Sequence, residues 1–156
     1  EYLSENVFRP AGMSDTGYFE LDRLPAKCAS NYIYDSARDS YRTSIYSIDA
    51  KGTGAGGAFT TTGDIGRFWE SLMSGRLLSP EITADMFANH SGGDDCYGLG
   101  FWLKKRAGIY TPYFQGSDPG VSFISSYDAN KNLIVTLVSN YGDDVWKPHE
   151  KIRAYF

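Results

Sequence analysis

The chain has 156 residues, of which 42% are hydrophobic and 22% are charged, and this length suits a single domain with its own core. The formal net charge of -4 argues against a nucleic-acid surface, because phosphate binding needs clustered Lys and Arg side chains. No run approaches the roughly 18 apolar residues of a membrane-spanning helix. Cys28 and Cys96 lack the spacing of a zinc site. We therefore expect one folded domain over residues 1–156, with no nucleic-acid partner and no membrane span.

The first 60 residues predict little regular structure. Residues 1–12 have the apolar spacing of a short helix, which we expect Pro10 to stop. Residues 19–50 predict a long loop with strand pieces near 29–34 and 41–48. Residues 52–57 match the Gly-x-Gly-x-x-Gly pattern of dinucleotide sites, but no buried strand precedes them and no helix opens within them. The sequence favours a glycine-rich bend where backbones pack closely, and nucleotide binding is the minor alternative.

The remaining residues predict helices followed by strands. Thr61 and Asp64 have the spacing of a helix cap, and the apolar positions that follow predict a helix ended by Gly75. Ser79 before Pro80 predicts the start of a second helix. Apolar segments at 97–103, 109–114, 121–127 and 133–139, separated by turn residues, predict an antiparallel meander. A final helix within 143–156 has an uncertain start because of Pro148. The fold class is therefore α+β, an antiparallel sheet flanked by helices.

Residues 114–120, with the sequence FQGSDPG, interrupt the strand-rich region with two glycines and a proline. Such a segment is typical of a tight turn between hairpins, or of a strand edge whose backbone must approach a ligand. Elsewhere, His90 lies near Asp94 and Asp95 without the ligand spacing of a metal site, so no metal is predicted. The sequence has no Gly-x-Ser-x-Gly motif to mark a nucleophile, although a triad can assemble from distant residues.

The order of several motifs resembles the serine β-lactamase and penicillin-binding protein family, which includes class C β-lactamases, DD-peptidases and related esterases. The resemblance runs from about residue 2 to residue 140. It is carried by residues 8–16 (FRPAGMSDT), 55–61 (AGGAFTT), 64–68 (DIGRF), 75–81 (GRLLSPE), 97–101 (YGLGF) and 116–120 (GSDPG). The family uses an acylated serine, and its fold is an antiparallel sheet flanked by helices. The chain is similar to the C-terminal part of such a protein.

The resemblance implies a substrate-binding site at the third motif of the family, Lys-Thr-Gly or His-x-Gly on a strand. That motif falls on Phe114, Gln115 and Gly116. Its first residue normally supplies a cation or polar group, which Phe114 cannot do. Gly116 would let substrate lie against the strand. The backbone N–H of Ser117 would be one of two donors to the oxyanion that forms during acyl transfer, which makes Ser117 the catalytic assignment.

The resemblance also shows what the chain lacks. The Ser-x-x-Lys and Tyr-x-Asn motifs of the family occur nowhere in the sequence. We therefore expect this chain to be the C-terminal portion of a serine hydrolase that acts on a β-lactam, a D-Ala peptide or an ester. We expect it to lack the nucleophile, to be inactive alone and to need no cofactor. The alternative is a non-catalytic domain that binds a peptidoglycan peptide or another ligand. The resemblance further implies an extracellular or cell-envelope location. Without the half that carries the nucleophile, the helices after Thr61 and Ser79 should expose apolar surface, which predicts self-association.

Overall fold

A computed structural model describes residues 1–92, 96–106, 108–142 and 144–156. Its helices are a π-helical turn, Ser4–Phe8, followed directly by α1 (Arg9–Ala11), and then α2 (Thr62–Met73), α3 (Pro80–Met86) and α4 (Trp146–Tyr155). Its strands are β1 (Tyr32–Asp35), β2 (Ser40–Thr43), β3 (Trp102–Arg106), β4 (Ile109–Asp118), β5 (Val121–Asp128) and β6 (Leu133–Ser139). One sheet pairs β1 with β2, and a four-stranded sheet has the order β3-β4-β5-β6. The α+β class with antiparallel sheet and helices is confirmed.

The chain divides into two compact units. Unit 1 comprises Glu1–Ser14, Thr62–Phe114 and Ser125–Thr136. Unit 2 comprises Asp15–Thr61, Gln115–Ile124 and Leu137–Phe156. That residues 1–156 act as one domain stays a prediction.

The core of unit 1 is built around Trp69 of α2, which has no exposed surface. The rings of Phe101, Phe114 and Tyr127 lie with their centroids 5.4, 5.5 and 5.8 Å from the Trp69 ring. Trp69 Nε1 donates a hydrogen bond of 2.8 Å to Ser125 Oγ. A buried indole N–H needs an acceptor, and the small hydroxyl of Ser125 supplies it inside an otherwise aromatic cluster.

The predicted starts of α2 and α3 are confirmed. α2 begins at Thr62, which leaves Thr61 at the cap position, and Arg67 forms an ion pair with the buried Asp64. Gly75 follows the helix with a φ of 77°, the left-handed conformation that glycine adopts without strain. Ser79 Oγ accepts the N–H of Ile82 at the start of α3. Side-chain caps and helix-ending glycines are local signals, so the sequence alone reveals them.

The prediction that Pro10 stops the first helix is wrong. The helical path continues through Pro10 and ends at Gly12, whose φ is 71°. The amide of Arg9 donates to Ser4 O, and the amide of Met13 donates to Phe8 O at 2.8 Å, each reaching back five residues. A proline crowds the turn before it and lacks a donor, and the wider π-helical turn accommodates both effects.

The predicted strand over residues 97–103 begins only at Trp102. A Cβ on Gly98 would lie 2.0 Å from the carbonyl oxygen of Met86, so the backbone there packs against the end of α3. Gly100 has a φ of 85°, which is incompatible with a regular strand. The next strand, in contrast, runs on to Asp118, past the predicted end at residue 114.

Unit 2 contains the β1–β2 hairpin, the glycine-rich bend and α4. The hairpin is anchored by Tyr32, whose amide donates to Asn140 O at 2.8 Å. The glycine-rich bend is confirmed, because a Cβ on Gly52 would lie 2.3 Å from Gly57 O. The predicted final helix is α4, and Pro148 is its third residue. The first turn of a helix tolerates proline because its N–H groups have no partner within the helix.

Candidate functional site: the exposed end of β4

The second half of β4 is an exposed strand end that extends past its neighbour. β3 pairs with β4 from Arg106 opposite Ile109 to Trp102 opposite Tyr113. β4 itself continues to Asp118, and residues 115–118 are exposed. The turn follows at Pro119 and Gly120, so the glycine of residue 116 lies in a strand and not in the turn. Of the two interpretations of residues 114–120, the strand edge describes Gly116 and the tight turn describes Gly120.

The two glycines of this segment meet different surroundings. Apart from its two chain neighbours, no described residue places an atom within 4 Å of a Cβ built on Gly116, so there is open space beside the strand. Gly120 has a φ of 87°, and a Cβ there would lie 3.0 Å from the backbone of Tyr32. Gly120 is therefore required by the fold. Nothing in the described fold requires a glycine at residue 116, and its missing side chain leaves room for a ligand.

The side chain of Gln115 is held by a residue that the sequence analysis did not single out. Trp146 Nε1 donates a hydrogen bond of 2.6 Å to Gln115 Oε1. The two residues lie 31 positions apart, so no local pattern connects them. Trp146 is the first residue of α4, and its backbone N–H donates to Asp144 Oδ1 at 3.0 Å. The start of α4 thus fixes the tryptophan that holds Gln115.

Asp144 also accepts the amide of Lys147 at 3.3 Å, and the Lys147 Nζ lies 3.4 Å from its other carboxylate oxygen. Partial desolvation opposes ionisation, but hydrogen bonds from the Lys147 and Trp146 amides and the Lys147 charge together lower the pKa of Asp144 below its ordinary value. The carboxylate is therefore ionised at neutral pH, as suits an acceptor at a helix N-terminus.

The remaining predicted site residues differ in their surroundings. Phe114 is half-buried, and its ring packs in the aromatic cluster of unit 1, 5.9 Å from both Phe68 and Phe101. It offers no polar atom to a ligand. Because side chains alternate along a strand, Gln115 and Ser117 point to one face and Gly116 to the other. The structure thus presents Gln115, Gly116 and Ser117 as consecutive exposed residues of unit 2.

His90 begins a second segment, His90-Ser91-Gly92, that matches the letters His-x-Gly. It lies in the loop after α3 and not on a strand, and His90 Nε2 lies 2.8 Å from Asp85 O. Asp94 and Asp95 lie outside the described residues. Within the described ranges, no group of three or more His, Cys, Asp or Glu side chains could hold a metal ion. No helix in those ranges is long and apolar enough to cross a bilayer.

Unit 2 also has a cavity of about 100 Å³ away from β4. Its lining is mainly apolar and comes from residues before α2: Leu21, Leu24, Ala29, Ser30, Asn31, Thr43, Ser44, Ile45, Ile48 and Phe59. None of the residues from 114 to 118 contributes to it. This cavity is therefore a separate feature from the exposed end of β4.

Comparison with known proteins shows what this chain is similar to. A penicillin-binding protein from Bacillus halodurans superimposes with a TM-score of 0.92 at 36% identity, covering 99% of this chain and 49% of that one. The putative penicillin-binding protein PbpX of Bacillus subtilis (strain 168) is 28% identical over 151 residues, 90% of this chain and 34% of that protein. A D-amino acid amidase from Ochrobactrum anthropi SV3 shares the fold, with a TM-score of 0.68 at 23% identity, covering 98% of this chain and 53% of that one.

The chain therefore spans half or less of the length of the penicillin-binding proteins that it matches. The family model described as Beta-lactamase matches residues 1–155, nearly the whole sequence. Together with the fold and the ordered motifs, this match shows that the chain belongs to the Beta-lactamase family, which includes penicillin-binding proteins.

Proposed function

We propose that the chain provides the substrate-holding strand of a serine acyl-transfer site and that it is inactive by itself. The observation that carries the proposal is the exposed end of β4, where Gly116 leaves open space beside a strand that has passed its last β3 partner. A peptide or acyl substrate can lie along such a strand and hydrogen-bond to its backbone. Membership in a family of serine hydrolases supports acyl transfer as the reaction class.

The chemistry divides between what this chain offers and what it lacks. The backbone N–H of Ser117, an exposed residue, is the proposed donor to the oxyanion of the acyl-transfer intermediate, and Gly116 would give the substrate access to the strand. The sequence holds no Ser-x-x-Lys, so the chain has no nucleophile of the family type. The substrate would be a β-lactam, a D-Ala peptide or an ester. A protein that shares this fold is described as a D-amino acid amidase, which supports hydrolase chemistry at such a site.

The test is enzymatic and uses the chain of residues 1–156. We expect no hydrolysis of nitrocefin and no covalent labelling by a fluorescent penicillin, because acylation needs an activated serine. A penicillin-binding protein of known labelling serves as the positive control. Stoichiometric labelling of this chain would contradict the proposal, because it would place a nucleophile within these residues.

A second candidate function is a non-catalytic binding domain, and Phe114 favours it. The family motif has Lys or His at that position, whereas the Phe114 ring packs in the aromatic cluster of unit 1. A site without this polar group can still hold a peptide along β4. Coding sequence upstream of Glu1 discriminates the two functions, since intact Ser-x-x-Lys and Tyr-x-Asn motifs there would favour the enzyme and altered ones the binding domain.

A further inference from the structure

The Trp146–Gln115 hydrogen bond fixes which end of the Gln115 carboxamide faces outward. An indole N–H can only donate, so the acceptor must be the carbonyl oxygen of Gln115. The NH₂ group of the carboxamide is then the end that is left toward solvent. Gln115 is exposed, and both it and Trp146 belong to unit 2. The hydrogen bond therefore turns a flexible side chain into a donor of defined direction.

The charges along these strands indicate which ligand group would accept a hydrogen bond from the Gln115 NH₂ group. Residues 109–128, which include β4 and β5, contain no Lys, Arg or His, and they contain Asp118 and Asp128. Lys147, at the start of α4, lies 3.4 Å from the Asp144 carboxylate and so has a partner of its own. A carboxylate ligand along β4 would therefore meet neutral donors and no cation of β4 or β5, so the hydrogen bonds of these strands would have to replace its hydration. A neutral amide or ester carbonyl loses less hydration on binding the same donors.

We propose that Trp146 is a positioning residue that directs the NH₂ group of Gln115 toward a ligand lying along residues 115–117, and that this position takes a neutral carbonyl oxygen in preference to a carboxylate. The proposal rests on the proposed function, because it specifies the ligand of the same strand. It assigns no chemistry to Trp146 itself, which acts only through Gln115.

The hydrogen bond can be tested without any ligand by NMR. The chain has three Trp and a single Gln, so the Trp146 indole and the Gln115 NH₂ signals are separable. Gln115→Leu removes the acceptor and should move the Trp146 indole proton to the position of a free indole. Gln115→Glu keeps an oxygen acceptor and should leave that signal near its wild-type position. An indole signal that is unchanged in Gln115→Leu would overturn the positioning role.

Ligand selection is tested by titrating the protein with N-acetyl-D-alanyl-D-alanine and with its C-terminal carboxamide. Both peptides present the same backbone, and only the carboxamide is neutral. We expect the carboxamide to bind about three to ten times more tightly, the size of one net hydrogen bond. The Gln115 NH₂ signals should shift with it. Equal affinity, or tighter binding of the carboxylate peptide, would overturn the selection of a neutral carbonyl.

Trp146→Phe separates positioning from stability. It should weaken carboxamide binding by about the same three to ten times. Tyr46→Phe is the control, because Tyr46 is a highly exposed aromatic residue of the same unit and lies outside residues 114–120. A loss of affinity in both variants alike would contradict the role of Trp146. If neither peptide shifts any β4 signal in the wild type, both the proposed function and the ligand preference are wrong. The spectra recorded without ligand still decide whether Trp146 holds Gln115.

Discussion

At the scale of single residues, we expect Gly120 to be needed for the fold and Gly116 to be needed for ligand binding. Gly120→Ala should lower the free energy of unfolding by about 1–3 kcal/mol, because alanine is strained at a φ of 87° and its Cβ would press on the Tyr32 backbone. Gly116→Ala is the matched control. It should change stability by less than about 0.5 kcal/mol, since its Cβ enters open space. Urea denaturation measures both, and equal losses would contradict the assignment.

The buried hydroxyl of Ser125 gives a second prediction at this scale. It accepts the indole N–H of Trp69 at 2.8 Å and lies 2.8 Å from Thr136 Oγ1. Ser125→Ala would leave the buried indole donor unpaired and should cost about 1–3 kcal/mol of unfolding free energy. Ser36→Ala, at an exposed turn residue, should stay within about 0.5 kcal/mol of the wild type. Similar stabilities for the two variants would show that the Trp69 indole has no need of this acceptor.

At the scale of elements, the start of α4 should respond to acid through Asp144. The pKa of the Asp144 carboxyl is lower in the folded chain than in the unfolded chain, where it is about 3.8. The stability that this carboxylate contributes is therefore present above about pH 3.8 and is lost as the pH falls through the folded-state pKa. The Trp146 indole signal should therefore change below about pH 4 as the Asp144 acceptor is protonated. Asp144→Asn keeps an acceptor without the charge and should flatten this acid response, as an NMR pH titration can show. An unaltered acid response in Asp144→Asn would contradict the role of this carboxylate.

The elements also show where sequence reasoning succeeds. α3 begins at the side-chain cap of Ser79, and α2 is followed by Gly75 in the left-handed conformation, so these two bounds follow from local sequence. The start of β3 does not, because Gly98 packs against Met86 O and this contact between separate segments decides where the strand begins. The path through Pro10 likewise depends on a wider helical turn that propensity does not encode.

The candidate site also follows only partly from the sequence. The motif order of the family points to residues 114–117, so the sequence predicts the position of the strand. The motif order does not predict the role of Trp146, because its contact with Gln115 depends on where α4 begins and how unit 2 packs. The partly aromatic environment of Phe114 is also tertiary, since its neighbours Phe68 and Phe101 come from distant parts of the sequence. Motifs thus locate the strand, and only the fold shows what orients its side chains.

At the scale of the whole molecule, we propose that the chain self-associates through apolar surface of unit 1. Met73 of α2 and Ile82 of α3 are 38% and 51% exposed, so both helices carry apolar side chains at the surface. Ile82→Glu should weaken association by about tenfold or more, because an apolar contact is replaced by a charge. Sedimentation that shows a monomer at high concentration in the wild type would contradict this proposal.

The central claim is that the exposed end of β4 holds the substrate, and chemical-shift mapping tests it most directly. The ¹⁵N-labelled chain is titrated with the N-acetyl-D-alanyl-D-alanine carboxamide, and every backbone amide is followed. We predict that the amides of Gly116 and Ser117 shift most, and that Gly116→Val abolishes these shifts by filling the open space beside the strand. Shifts confined to the cavity lined by Leu21 and Phe59, or binding that Gly116→Val leaves intact, would contradict the account.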